Sequence, residues 1–331
     1  MPTAMDVENQ KSTTRRIRAA NAITAIRRHT NSSTSVQTPF AGRIGANQEF
    51  TVDKDDSEYA ELLKNVPDAA SSLSWSDSFS LIQFLQLNLW KSAVIEAMGT
   101  CLLVYISCFM AIGLSGVVKD FSSGPFVPSL VAGFANWILL SLFIFSTGPL
   151  SGGHLNPMIT MATFFARLST FPRSVLYIGF QLLGASVAGF LLRASLNSRS
   201  FFVPGCNFDP NVIPIGSAFT IECTVDFLAV FLAFGIGLDP RQKAVYGPSL
   251  GPILVGLILG ISSFATGFTV TGYSGYSGNP ARCFGAMVGT HFYSYHWVHW
   301  IAPLTASIIH GIIYWAVPPR PYHSVVTRTA T

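Results

Sequence analysis

Six apolar runs, at about 91–114, 127–149, 174–195, 216–238, 249–271 and 297–318, each come close to the ~20 residues that a helix needs to cross a bilayer. Charged residues make up 11% of the 331 and hydrophobic residues 50%, with a mean hydropathy of +0.44. A soluble domain carries about 25% charged residues, so the chain reads as an all-α integral membrane protein. The net charge of +4 sits mostly in the tails, which argues against a nucleic-acid partner, and five cysteines make no disulfide framework. Residues 1–60 lack the apolar core of a cleavable signal peptide, so the first span is expected to serve as the insertion signal.

Two interruptions set this chain apart from a simple bundle. Between the second and third runs lies Gly152-Gly153-His154-Leu155-Asn156-Pro157-Met158, and between the fifth and sixth lies Ser277-Gly278-Asn279-Pro280-Ala281-Arg282-Cys283. Proline suits the first turn of a helix, where its missing N–H has no intrahelical partner in any case, and the asparagine before it is a good cap. The segments 152–167 and 278–288 are too short to span, so each is expected to be a half-helix. Broken backbone at membrane depth is tolerated only inside protein or along a water-filled cavity, which implies a pore.

The halves repeat. Glu96 in the first span precedes Asn156 at nearly the distance by which Glu222 in the fourth precedes Asn279. Ionisable residues in spans are costly and face the interior. Three spans per repeat require the second half (about 216–318) to be inverted relative to the first (about 90–195), with the permeant site near the midplane. Both glutamates, with His154, are read as hydrogen-bonding supports of the broken loops. A transporter using Glu96 and Glu222 as coupling carboxylates is the rival reading. A membrane enzyme lacks a nucleophile–base pair or metal-ligand cluster, and no cofactor is expected.

Residues 1–78 read as a polar, largely disordered tail, with Arg15, Arg16, Arg18, Arg27 and Arg28, and with Thr30 and Ser32 beside them as phosphorylation candidates. A short interfacial helix is expected over 79–90, the channel domain over 79–318 and a second tail over 319–331. With both termini cytoplasmic, the inner segments hold every Lys and Arg except Lys119, Arg193, Arg199 and Arg282, in keeping with the positive-inside rule.

The paired Asn-Pro steps, the two glutamates and the six spans resemble the aquaporin (major intrinsic protein) superfamily over about residues 90–318. The run Asn279-Pro280-Ala281-Arg282-Cys283 further resembles its X intrinsic, or uncategorised, subgroup. The resemblance implies a homotetramer in the plasma membrane with a pore in each subunit, passing small neutral solutes such as glycerol, urea and hydrogen peroxide. It also implies a filter at Asn136, Gly267, Tyr276 and Arg282; a shift of one residue substitutes Trp137, and Thr266 or Phe268. In that reading Gly267→His narrows the filter. Met158 stands where the family has Ala, Cys283 where glycerol facilitators have Asp, and Asp226 where the first repeat has Thr100.

Cys206 and Cys283 are placed either to bridge a loop over the pore mouth or to remain two free thiols. Cys101, Cys108 and Cys223 read as small buried hydrophobes. His291, His296 and His299, beside Trp297 and Trp300, read as an interfacial belt with a metal site or pH gate as the alternative.

Overall fold

The structure, a computed structural model, describes residues 39–45, 51–52, 54 and 57–317. The arginine clusters at Arg15, Arg16, Arg18, Arg27 and Arg28, with Thr30 and Ser32, and the segment 319–331 lie outside the described residues. Two short helices, α1 (Ala60–Asn65) and α2 (Trp75–Ser78), come first. Six long helices follow: α3 (Leu87–Val117), α4 (Phe126–Ser151), α6 (Phe171–Leu196), α7 (Ile215–Ala233), α8 (Lys243–Gly267) and α10 (Val298–Ala316). Between them stand two half-helices, α5 (Pro157–Phe165) and α9 (Pro280–Gly289). A π turn over Phe234–Leu238 extends α7. Five of the long helices are long and apolar enough to cross a membrane. The sixth, α10, is diluted by His299, Pro303 and His310.

The packing follows the repeat. Helices α3 and α6 pair as α7 and α10 do, α9 packs on α6 as α5 packs on α10, and α4 meets α8 across the centre. Helix α3 shows why these surfaces belong in lipid. Met98, Leu102, Ile106 and Phe109 are exposed, whereas Ala93, Glu96, Thr100, Val104, Ser107 and Cys108 are buried. Lipid is as apolar as leucine, so large side chains gain nothing by turning inward, and small residues that allow close approach take the interfaces. A Cβ on Gly184 of α6 would stand 2.0 Å from the Ala97 carbonyl oxygen, and one on Gly189 would stand 2.1 Å from that of Gly285. Gly133 of α4 and Gly260 of α8 oppose each other in the same way, each Cβ position lying 2.7 Å from the other's carbonyl oxygen.

Two expectations change. The interfacial helix over 79–90 is instead a 3-10 turn at Leu81–Leu85, and α3 already begins at Leu87. The ordered protein also begins well before residue 79. Phe40, Ala41, Arg43 and Ile44 are buried against the bundle, and Val52 pairs with Ala70. Arg173 at the start of α6 secures this part: its Nε donates to Asp68 Oδ2 at 2.6 Å, both side chains are buried, and Gln83 Nε2 donates to Asp68 Oδ1 at 2.5 Å. The polar composition of the tail as a whole hides these short segments, whose order comes from partners distant in sequence.

Gly184→Val tests the close approach. Overpacking at such a contact costs about 1–3 kcal/mol, so the variant is expected to melt earlier in detergent; an unchanged melting temperature would contradict the packing described.

Candidate functional site: a conduit between two half-helices

Each half-helix is capped by the asparagine before its proline. Asn156 Oδ1 accepts from Met158 N at 2.9 Å, and Asn279 Oδ1 accepts from Ala281 N at 2.9 Å. The amide nitrogens then cross over. Asn156 Nδ2 donates to the Gly278 carbonyl at 2.7 Å, and Asn279 Nδ2 donates to the Leu155 carbonyl at 2.8 Å. Each amide has two N–H groups, so one ties the two loops together and one is left on each side. The two carbonyls are turned into place by left-handed residues, Gly278 at φ 65 and Leu155 at φ 50. A left-handed residue with a side chain costs about 1–2 kcal/mol. At Leu155 that cost is offset by a bonded N–H, a bonded carbonyl and a side chain packed where Gly99 leaves room.

The buried glutamates hold the loops that lead into the half-helices. Glu96 accepts from Ser151 Oγ (2.5 Å), His154 N (3.1 Å), Leu155 N (2.6 Å) and Gln181 Nε2 (2.9 Å). Glu222 accepts from Tyr273 Oη (2.6 Å), Ser277 Oγ (2.6 Å) and Ser277 N (3.1 Å). His154 works differently from the glutamates. Its Nε2 lies 2.7 Å from the Gly42 carbonyl, which can only accept, so that nitrogen carries the proton and Nδ1 faces the Thr160 hydroxyl at 3.1 Å.

One cavity of about 820 Å³ runs past both asparagines. Its lining combines Asn136, Ser263, Asn156, Asn279 and Arg282 with apolar wall from Leu103, Val104, Ile159, Val255 and Ile258. Asn136 borders it and donates to Ser263 Oγ at 3.3 Å, whereas the Trp137 indole turns away to the Ile253 carbonyl at 2.9 Å. Gly267 and Phe268 border it as well, while Thr266 Oγ1 accepts from Tyr276 N at 2.9 Å. The geometry at Gly267 alters one expectation. A Cβ there would lie 2.6 Å from Ser129 Oγ, so a histidine would first strain the contact between α8 and α4.

Arg282 is fixed at one mouth: Nη2 donates to the Pro204 carbonyl at 2.9 Å and Nη1 lies 3.2 Å from Cys206 Sγ. In the structure Cys206 and Cys283 form a disulfide, with Cα atoms 5.0 Å apart, and Cys101, Cys108 and Cys223 are free. The buried His299 faces the Cys206 carbonyl at 3.1 Å, which takes it out of the interfacial belt; Trp297 remains exposed. Among the described residues no group of three His, Cys, Asp or Glu could hold a metal ion.

Sequence reasoning noted Met158, Asp226 and Tyr276 separately. The structure brings them together: Tyr276 Oη donates to Asp226 Oδ1 at 2.8 Å and lies 4.0 Å from Met158 Sδ. The spacing of Asp226 one turn beyond Glu222 was the available signal; the contact with Tyr276 had none.

Two capped half-helices meeting inside a six-helix bundle, with a conduit past their tips, define a membrane channel. Residues 83–314 match the family Major intrinsic protein, and the chain belongs to it. It is 31% identical over 240 residues to aquaporin TIP4-1 of Zea mays, covering 72% of this chain and 89% of that one. It is 30% identical over 246 residues to aquaporin TIP2-1 of Arabidopsis thaliana, covering 73% and 90%. The X-ray structure of the aquaglyceroporin from Plasmodium falciparum shares the fold at a TM-score of 0.51 and 20% identity, covering 68% of this chain and 96% of that one. The protein is thus an integral membrane protein and a passive channel for small solutes.

Glu96→Ala leaves the N–H groups of His154 and Leu155 without their acceptor. Each buried donor so stranded costs about 1–3 kcal/mol; the expected outcome is a lower melting temperature and lost conduction, and a variant that conducts normally would contradict the supporting role.

Proposed function

We propose that the channel passes uncharged polar solutes larger than water, in the class of glycerol, urea and hydrogen peroxide, and excludes ions and protons. The observation that carries this is the lining, in which amide, hydroxyl and guanidinium donors stand beside aliphatic wall in a conduit of about 820 Å³. A solute with hydroxyls on a short carbon frame exchanges its hydration for both kinds of contact. An ion loses its water shell and meets the positive ends of two half-helices, the barrier already ascribed to aquaporin-type pores. Arg282 adds a charge that cannot be titrated away.

In this reading Asn136, Gly267, Tyr276 and Arg282 form the filter, with Gly267 leaving backbone rather than side chain at the wall. Asp226 positions Tyr276. The subgroup resemblance carried by Cys283, a homotetramer, a plasma-membrane location and cytoplasmic termini belong to the same proposal. The rival coupled transporter is disfavoured because the carboxylate oxygens of Glu96 and Glu222 are already occupied by loop donors.

Stopped-flow light scattering on proteoliposomes with a solute panel tests the proposal: glycerol, urea or peroxide flux is expected, and water flux alone would contradict it. Asn136→Phe is expected to cut polyol flux by more than water flux; equal losses would remove Asn136 from the filter. Asp226→Ala releases the Tyr276 hydroxyl and is expected to change the ratio of solute to water permeability. An unchanged ratio would deny Asp226 a positioning role.

A further inference from the structure

The conduit ends, at the mouth opposite Arg282, on a segment of the chain that no spanning element contains. Pro39–Gly45 crosses this mouth in contact with both repeats. Phe40 lies under the Arg173 guanidinium, 3.9 Å from ring centre to carbon. Ala41 N donates to the Asp68 carbonyl at 2.7 Å, and Ile44 N donates to the Gly152 carbonyl at 2.9 Å. His154 donates to the Gly42 carbonyl at 2.7 Å. Arg43 Nη1 donates to the carbonyls of Gly148 and Pro149, at 2.8 and 3.0 Å, in the last turn of α4, where a cation is favoured. Gly45 is wedged between repeats: its Cβ position lies 2.7 Å from Pro252 of α8 and 3.2 Å from Ile144 of α4.

Ile44 is the part that bears on conduction. It is 2% exposed, borders the conduit and packs in one apolar cluster with the wall residues Ile144, Met158, Val255 and Ile258. An anchor needs only the backbone bonds and the Phe40 and Arg43 contacts. A β-branched side chain seated among the residues that line the conduit lies where it bears on passage as well.

We propose that this mouth is a binding site for an extended peptide with an aromatic, a cation and a branched aliphatic in the order found at Phe40, Arg43 and Ile44, and that Pro39–Gly45 fills it as the chain's own plug. The inference rests on the proposed passage of solutes, since a plug matters only to a conduit. Departure of the segment opens the channel, and its return closes it.

The full-length chain in proteoliposomes tests this with two readouts, amide hydrogen exchange at Ala41 and Ile44 and solute flux. Phe40→Ala/Arg43→Ala is expected to expose both amides and to raise flux by roughly tenfold or more, the factor by which loss of a charged hydrogen bond shifts a closed–open equilibrium. Ile44→Ala keeps the backbone bonds, so protection is expected to persist while flux rises by a smaller factor. A synthetic peptide of residues 39–45 is expected to slow the double variant. Free exchange at Ala41 and Ile44 in the wild type, equal non-zero flux in wild type and both variants, or a peptide without effect would overturn the proposal. A double variant that gains water flux but passes no larger solute upholds the plug and overturns the proposed selectivity.

Discussion

Everything in this fold depends on two carboxylates buried among helices. A membrane helix that stops halfway exposes backbone N–H groups where lipid offers no acceptor. Glu96 and Glu222 supply acceptors at the two places where the chain breaks, the first to His154 and Leu155, the second to Ser277. Only with those loops held can Asn156 and Asn279 cap their half-helices and bond each other's loop. The conduit is what remains between the tips once these bonds are made.

The reciprocity of the two asparagines follows from inversion of the repeat. Each Nδ2 finds the carbonyl just before the other asparagine, so neither half-helix is placed independently. The helix contacts obey the same symmetry, down to the facing pair Gly133 and Gly260. Departures from symmetry are therefore informative. Leu155 takes a left-handed conformation where the second loop uses Gly278, and Asp226 stands where the first repeat has Thr100. The latter has a visible consequence in Tyr276, which Asp226 turns toward Met158.

The spans, the half-helices and the glutamates were legible in the sequence because each rests on a local rule: run length, proline at a first helical turn, or the cost of charge in lipid. The filter positions were counted along a family pattern; of the two registers' candidates, Asn136 borders the conduit and the Trp137 indole bonds the Ile253 carbonyl. Gly267 borders the conduit, and its lack of a side chain answers to Ser129 across a helix contact as well. Two features had no local signature. The cluster of Asp226, Tyr276 and Met158 joins three separate elements. The segment Phe40-Ala41-Gly42-Arg43-Ile44-Gly45 is an apolar island that the polar composition around it conceals, and its order comes from Arg173, Asp68 and His154.

The claim on which the rest stands is that two capped half-helices make one conduit open to neutral solutes and closed to charge. Simultaneous recording of solute-driven volume change and internal pH in proteoliposomes, under an imposed proton gradient, addresses it most directly. The expected result is solute flux that rises linearly with concentration, is indifferent to the gradient and leaves internal pH unmoved. Saturable uptake that follows the gradient, or a proton flux that accompanies the solute, would contradict it.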